Sequence, residues 1–223
     1  MFHVEHIGLL RTALNDEGMS VYPGMIRDFS KYQDILLEWN KKINLISRKD
    51  EARIVTRHFL QSLGLVKIVS FPQKARIMDL GSGAGFPGIP VKLVRPDLRI
   101  VLVESKRKKV LFLRHIVEAI HLKNVEIVQG RIEELEDECH PIDFIISRAV
   151  TDLVTLAKWS KNHLKPRRGK LIVIKGSRIE EELKQLENGA PGLGIKAINC
   201  FQYNPFPSVS RLKQGIVVSV EWG

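Results

Sequence analysis

The sequence predicts an α/β fold, a doubly wound and mostly parallel seven-stranded sheet with a helical N-terminal extension. Three observations carry that expectation. From Ala75 onward, short β-branched runs alternate with helical stretches, the order that builds a parallel sheet covered on both faces. A glycine-rich turn, Gly81-Ser82-Gly83-Ala84-Gly85, joins the first of those runs to the helix after it. The last two runs follow one another with no helix between them, as the strands of an antiparallel hairpin do.

Taken in order, residues 1–70 read as the helical extension and 71–223 as the sheet domain. Phe29, Tyr32, Leu36, Trp39 and Ile43 recur at intervals of three and four, one apolar face of an amphipathic helix that buries Phe29 and Trp39. The Pro23-Gly24 turn precedes it. A shorter helix covers 50 to about 69, with Asp50 as its N-cap. Strands are expected at 76–80, 100–104, 125–129, 142–147 and 170–175. Helices are expected at 87–94, 105–120, 132–137, 149–164 and 179–187. Residues 197–203 and 215–220 form the closing hairpin.

Composition narrows the class. With 223 residues and 44% hydrophobic content the chain can bury one sizeable core, and no run approaches the roughly 18 apolar residues of a membrane span. Glu5, Asp16 and Glu17 do not fit the basic-then-apolar plan of a signal peptide. Two cysteines, Cys139 and Cys200, cannot build a disulfide framework, which fits a reducing, cytoplasmic setting. No Cys/His spacing suggests a metal.

A net charge of +10 favours a polyanionic partner, and without a basic amphipathic anchor nucleic acid stands ahead of membrane. The excess is uneven. Residues 1–70 carry ten Lys/Arg against eight Asp/Glu, whereas 145–178 carry nine against Asp152 alone.

The glycine turn admits two registers. Gly83-Ala84-Gly85-Phe86-Pro87-Gly88 matches the dinucleotide fingerprint G-x-G-x-x-G. Asp79-Leu80-Gly81-Ser82-Gly83-Ala84-Gly85 matches the D-x-G-x-G-x-G loop that holds S-adenosylmethionine (SAM). In both, glycines let the backbone approach a ligand and Pro87 opens a helix near its N1 position. Glu104, ending the next strand, offers a carboxylate to the ribose hydroxyls of an adenosine. The acid Asp79, two positions before the first glycine, suits a ligand with a cationic amino-acid end better than one with two phosphates. SAM has such an end. Strand-end placement also puts four cations, Arg131, Arg148, Lys175 and Arg211, on the ligand edge of the sheet.

With its flanks, this stretch resembles the RsmG (GidB) family of class I SAM-dependent methyltransferases, which act on a guanine N7 of bacterial 16S ribosomal RNA. The matching residues are Trp39 to Leu45, Arg57-His58, Asp79 to Pro90, Arg95-Pro96, Glu104 to Leu113, Arg131-Ile132-Glu133-Glu134 and Ser147-Arg148-Ala149. One departure is Gln61, where the family pattern R-H-x-x-D-S has an acid. The resemblance implies SAM as methyl donor and functional basic residues at Arg131, Arg148, Lys175 and Arg211. It also implies SAM contacts from Gly81, Phe86, Ile132, Glu133 and Arg148. Together with the loop reading, the expected cofactor set adds Asp79, Ser82, Gly83, Gly85, Glu104 and Ser105. The partner implied is 16S rRNA in the small subunit, met by a monomer without metal or membrane.

The chemistry is consistent with that target. The place of an amino-methylating [DNS]-P-P-[FYW] motif holds Ser147-Arg148-Ala149-Val150 instead, and Asn204-Pro205-Phe206-Pro207 reads as a loop. No cysteine has the setting of a carbon-5 nucleophile. Guanine N7 attacks with its own lone pair, so holding it in line and excluding water suffices. An arginine fork suits guanine O6 or a phosphate. Lys106-Arg107-Lys108-Lys109 and His58 read as a solvated face and a structural histidine. Two readings stay open beside this one: a nicotinamide-dependent oxidoreductase, and a non-catalytic RNA-binding module that retains the loop.

Overall fold

The computed structural model describes residues 2–135, 141–148, 150–209, 212 and 215–223. Seven strands form one sheet in the order β3-β2-β1-β4-β5-β7-β6. They are β1 (Arg76–Leu80), β2 (Arg99–Glu104), β3 (Val125–Gln129), β4 (Phe144–Arg148), β5 (Lys170–Lys175), β6 (Ile195–Tyr203) and β7 (Gly215–Trp222). The first five are mutually parallel, and β7 runs antiparallel between β5 and β6. The strand order reverses at β1, between β2 and β4, and that reversal opens a crevice beyond Leu80 and Ser147, paired neighbours in the register.

Strand alternation sorts the apolar residues into two layers. Ile77, Ile100, Leu102, Phe144, Ile146, Ile172 and Val217 face α4 (Gly88–Val94) and α5 (Arg107–Ala119) in one core. Met78, Val101, Val103, Ile145, Leu171 and Val218 face α6 (Leu153–Lys161) and α7 (Glu180–Leu193) in the other. Asp79 falls in phase with Ile77, so its carboxylate enters the α4 side. The N-terminal helices α1 (Phe2–Asp16), α2 (Met25–Asn40) and α3 (Leu60–Ile68) pack into that same first core, through Leu10, Leu14, Phe29, Leu36, Phe59 and Leu63. Burial of each such side chain stabilises by about 1.5–3 kcal/mol, so the extension is held by the sheet domain's own core.

Local corrections to the sequence reading follow from competing caps. The stretch expected as one helix from Asp50 is a 3-10 segment (Arg48–Arg53), a π turn (Val55–Phe59) and then α3. Its N-cap is Ser47, whose hydroxyl accepts the Lys49 amide, while Asp50 pairs with Arg53 at 3.1 Å. Ile43 lies beyond α2, because the Asn40 side chain takes over the chain at that point. Its Oδ1 accepts the amides of Leu45 (2.9 Å) and Ile46 (3.0 Å), and its Nδ2 donates to Glu51 (2.6 Å). Trp39 is half-buried against Phe112 and His115 instead of fully enclosed. Pro87 is the N-cap of α4, one place before the expected N1. The helix after β4 begins at Leu153, since Asp152 caps it through the Thr155 amide at 2.8 Å.

Asn40 therefore holds three partners that no apolar residue can satisfy. Asn40→Ala is expected to lower unfolding stability by about 1–3 kcal/mol through two orphaned amides, measured as the urea midpoint at constant m. An unchanged midpoint would show that the bend is held by packing alone.

Candidate active site

Beyond β1 the chain turns through Gly81 (φ 73°), Gly83 (φ 57°) and Gly85 (φ 90°), left-handed conformations that favour glycine. Two of these positions also lack room for a side chain. A Cβ on Gly81 would lie 2.5 Å from Val150, and one on Gly85 would lie 2.8 Å from the Tyr32 hydroxyl. The loop is closed by its own amides: Gly81 and Ser82 donate to the Val103 carbonyl (both 3.0 Å), and Gly85 and Phe86 donate to that of Ser82 (2.7 and 3.0 Å).

Two carboxylates take further loop amides. Glu104 accepts Gly83 N–H through Oε2 (3.0 Å) and Lys106 N–H through Oε1 (2.8 Å). Asp79 is fully buried and accepts Gly88 N–H, in the first turn of α4, at 2.8 Å. A dinucleotide fold leaves that helix start open for a pyrophosphate. Here the protein's own carboxylate fills the anion position, so the geometry disfavours the dinucleotide register. Burial drives the Asp79 carboxyl up to about 7, while the Gly88 amide, Arg148 and Ser82 pull the other way. Its second oxygen has no hydrogen-bond partner among the described residues.

Two clefts flank the β1–β4 crevice. The first, about 200 Å³, is lined by Gly81, Glu104, Ser105, Arg131, Ile132, Glu133 and Trp159, among others. Each Glu104 oxygen has accepted one amide and keeps a lone pair for a hydroxyl donor. Ile132 gives an apolar wall, and Glu133 an acceptor beside it. This surface fits the adenosine half of SAM.

The second cleft joins the extension to the sheet, with Asp50, Arg57, His58 and Gln61 on one side and Arg148, Lys175 and Tyr203 on the other. Arg148 leaves the end of β4 and lies over the Phe86 ring, its guanidinium carbon 5.1 Å from the centroid. It donates to the Arg57 carbonyl (3.1 Å) and approaches His58 Nδ1 (2.8 Å). The imidazole itself stacks on Phe86 at 4.8 Å and 15°. Burial lowers the Arg148 pKa and holds that of His58 down to about 3, helped by the Arg148 and Arg57 charges.

The four expected cations thus do not share one cleft. Arg131 borders the first; Arg148 and Lys175 border the second; Arg211 lies outside the described residues. Lys175 is committed to an ion pair with Glu182 (2.7 Å) and to the Thr151 carbonyl (2.6 Å). Asp79 lies beneath the loop and is not among the lining residues of the first cleft, contrary to the expectation of a direct partner for a cationic ligand end. Its phase in β1 turns it toward α4. Ser82 and Phe86 are likewise buried, Ser82 donating to the Asp79 carbonyl at 2.9 Å. Lys106, Arg107 and Lys108 are exposed, Cys200 is a free exposed thiol in β6, and Cys139 and Ala149 lie outside the described residues. Sequence reasoning missed His58 as part of the site, and missed Tyr32, whose hydroxyl donates to the Ala84 carbonyl of the loop. The Arg57-His58 pair was a signal for the first; nothing in the local sequence distinguished Tyr32 from its apolar face.

A family model described as "GidB: rRNA small subunit methyltransferase G" matches residues 25–202. A protein of Flavobacterium johnsoniae named Ribosomal RNA small subunit methyltransferase G is 36% identical over 178 residues, 76% of this chain and 84% of its own. One of the same name from Geotalea uraniireducens is 36% identical over 196 residues, covering 87% and 88%. Among solved structures, a SAM-dependent methyltransferase from Aquifex aeolicus superposes with a TM-score of 0.58 at 16% identity, over 85% of this chain and 98% of that one.

The perturbed acid and base predict opposite pH dependences. The raised Asp79 pKa stabilises the fold most below about pH 4, and that contribution is lost as pH rises through about 7. The lowered His58 pKa contributes above about pH 6.5, and that contribution is lost as pH falls toward about 3. Asp79→Asn keeps an acceptor for Gly88 and removes the first effect alone. Between pH 4 and 7 the variant should gain roughly 1–4 kcal/mol on the wild type, read from urea unfolding at each pH. Parallel stability curves would mean that Asp79 is not perturbed.

Proposed function

The chain belongs to the GidB family of small-subunit rRNA methyltransferases, and from that premise we propose that it methylates N7 of a guanine in 16S rRNA. It is a SAM-dependent methyltransferase. The observation that carries the cofactor half is the occupied helix start: with Asp79 on the Gly88 amide and Glu104 on the Gly83 amide, the loop suits a ribose and a sulfonium better than a pyrophosphate. Glu104 holds the ribose, Ile132 packs the adenine, and Glu133 meets its amino group. Gly81, Gly83, Gly85 and Ser105 shape that cleft, with Asp79, Ser82 and Phe86 supporting it from below.

SAM supplies a methyl group made electrophilic by its sulfonium. The chain's part is positional. Guanine N7 carries a free lone pair at neutral pH, so no side chain removes a proton, and the positive charge passes to the methylated base. Arg148 keeps unused N–H donors at the edge of the acceptor cleft, suited to guanine O6 or a phosphate but not to N7 itself, which must stay open for attack. Lys175 extends the cationic rim and Arg131 stands at the mouth of the cofactor cleft, while a basic role for Arg211 rests on the family resemblance. We assign residues 1–70 the role of one wall of the acceptor cleft, since Asp50, Arg57, His58 and Gln61 come from there. The substrate is an rRNA within the small subunit, the enzyme a cytoplasmic monomer.

Transfer of labelled methyl from SAM to small subunits lacking native 7-methylguanosine, followed by nucleoside analysis, tests the reading. One labelled 7-methylguanosine in 16S rRNA is expected. Label in another nucleoside would overturn the N7 assignment. Arg148→Ala should cut methylation at least about 100-fold, a loss of roughly 2.7 kcal/mol in transition-state binding, with SAM still bound. Near-normal turnover would remove Arg148 from the mechanism.

A further inference from the structure

Arg148 is a half-buried cation, and among the described residues no carboxylate is paired with it. What holds it instead is neutral: a backbone carbonyl, an imidazole nitrogen and an aromatic face. That choice of partners has a chemical meaning. A carboxylate at the His58 position would fix the guanidinium equally well, but would satisfy its charge. A neutral acceptor fixes the direction of the fork and leaves the charge available to something entering the cleft.

The geometry specifies the form of the ring. Arg148 Nη2 can only donate, so His58 Nδ1, 2.8 Å away, must carry the lone pair, and the proton of the neutral ring sits on Nε2. Stacking on Phe86 fixes the ring plane, and the guanidinium lies over the same Phe86 ring. The charged and titratable groups that act on the pair are Arg57 on the same turn as His58, and Asp79, Tyr32, Asp50 and Tyr203 toward Arg148, with Lys175 also lining the cleft. Burial opposes protonation of the ring, and the charges of Arg148 and Arg57 add to it, so it stays an acceptor throughout the physiological range.

We propose that His58 is a positioning residue for methyl transfer, an uncharged acceptor through Nδ1 that aims the Arg148 guanidinium into the acceptor cleft without quenching its charge. This rests on the acceptor role given to Arg148 above. His58 acts through Arg148 and touches neither methyl donor nor acceptor.

The pair can be examined in two ways, one independent of the reaction. In the substrate-free protein, ¹⁵N spectra of the histidine rings should show His58 as the Nε2–H tautomer, unchanged from pH 8 to pH 5. In Arg148→Gln the pKa of the ring should rise, since one of the charges that oppose its protonation is gone. Titration of the wild-type ring near 6.5, or the Nδ1–H tautomer, would overturn the proposal whatever the RNA substrate proves to be.

The second comparison uses His58→Asn, His58→Asp and His58→Phe in the methyl-transfer assay. Asn places a neutral oxygen close to the former Nδ1. Asp places a charged one there, and Phe keeps the stack but offers no acceptor. Asn should hold kcat/KM within about 5-fold of wild type. Asp and Phe should each lose at least about 20-fold, mainly in kcat, with SAM affinity and Tm close to wild type. Equal activity of Asn and Asp, or of Asn and Phe, in folded proteins would overturn the inference. Absence of methyl transfer to rRNA by the wild type would instead count against the function proposed above and leave the ring spectra to decide the role of His58.

Discussion

The buried contact between the Asp79 carboxylate and the Gly88 amide is the constraint from which the site's geometry descends. It anchors the end of β1 to the start of α4. A helix start offers partial positive charge and open N–H groups, and something anionic or polar must meet them. By meeting them from within, Asp79 leaves the glycine loop with little demand for phosphate and lets it pack on its own amides. Glu104 performs the matching task one strand away, reaching back to Gly83 while keeping an edge on the cleft. Both acids are buried, but only Glu104 lines the first cleft: Asp79 shapes the loop, and Glu104 both shapes it and presents a surface.

The extension is tied to the same loop by an aromatic column. Phe29 packs on Phe59, Phe59 and Tyr32 pack on Phe86, and His58 stacks on Phe86 in turn. Tyr32 adds a hydrogen bond to the Ala84 carbonyl. Helices that read in sequence as an appendage therefore supply one wall of the second cleft and part of the packing under the first. The π turn at Val55–Phe59 is the local device. One widened turn brings both the Arg57 carbonyl and the His58 ring to Arg148, in keeping with the tendency of π turns to mark functional sites.

Much of this was legible in the sequence, for identifiable reasons. Strands buried on both faces must be apolar runs, so β1 and β5 fall where their runs lie, and the half-buried edge strand β3 is still marked by Val125, Ile127 and Val128. The glycine loop was legible because its left-handed turns restrict residue type tightly, and Glu104 because it ends the strand beside that loop. Caps were less so: Ser47 and Asp50 are both good N-cap residues three positions apart, and only the Arg53 partner decides between them. Side-chain partners far along the chain were the least legible. His58 and Arg148 lie ninety positions apart, and the Glu182 that holds Lys175 sits on a helix whose acids look like ordinary dipole complements.

The electrostatic contrast between the clefts bears on the direction of the proposed reaction. The first is edged by Glu104 and Glu133 against Arg131, the second by Arg57, Arg148 and Lys175 against Asp50. In the reading proposed above, methylation moves one positive charge from the acidic cleft into the basic one. Partial neutralisation limits the cost of that move: Glu182 pairs Lys175, and Asp50 and Asp79 lie near Arg148. What remains is repulsion between a methylated base and a cationic rim, which falls on the product and not on the neutral base that enters. At the same moment the first cleft loses the cation its acids favoured. Both changes weaken the hold on products relative to substrates, so the arrangement of charge that draws in the polyanion also favours its release once modified.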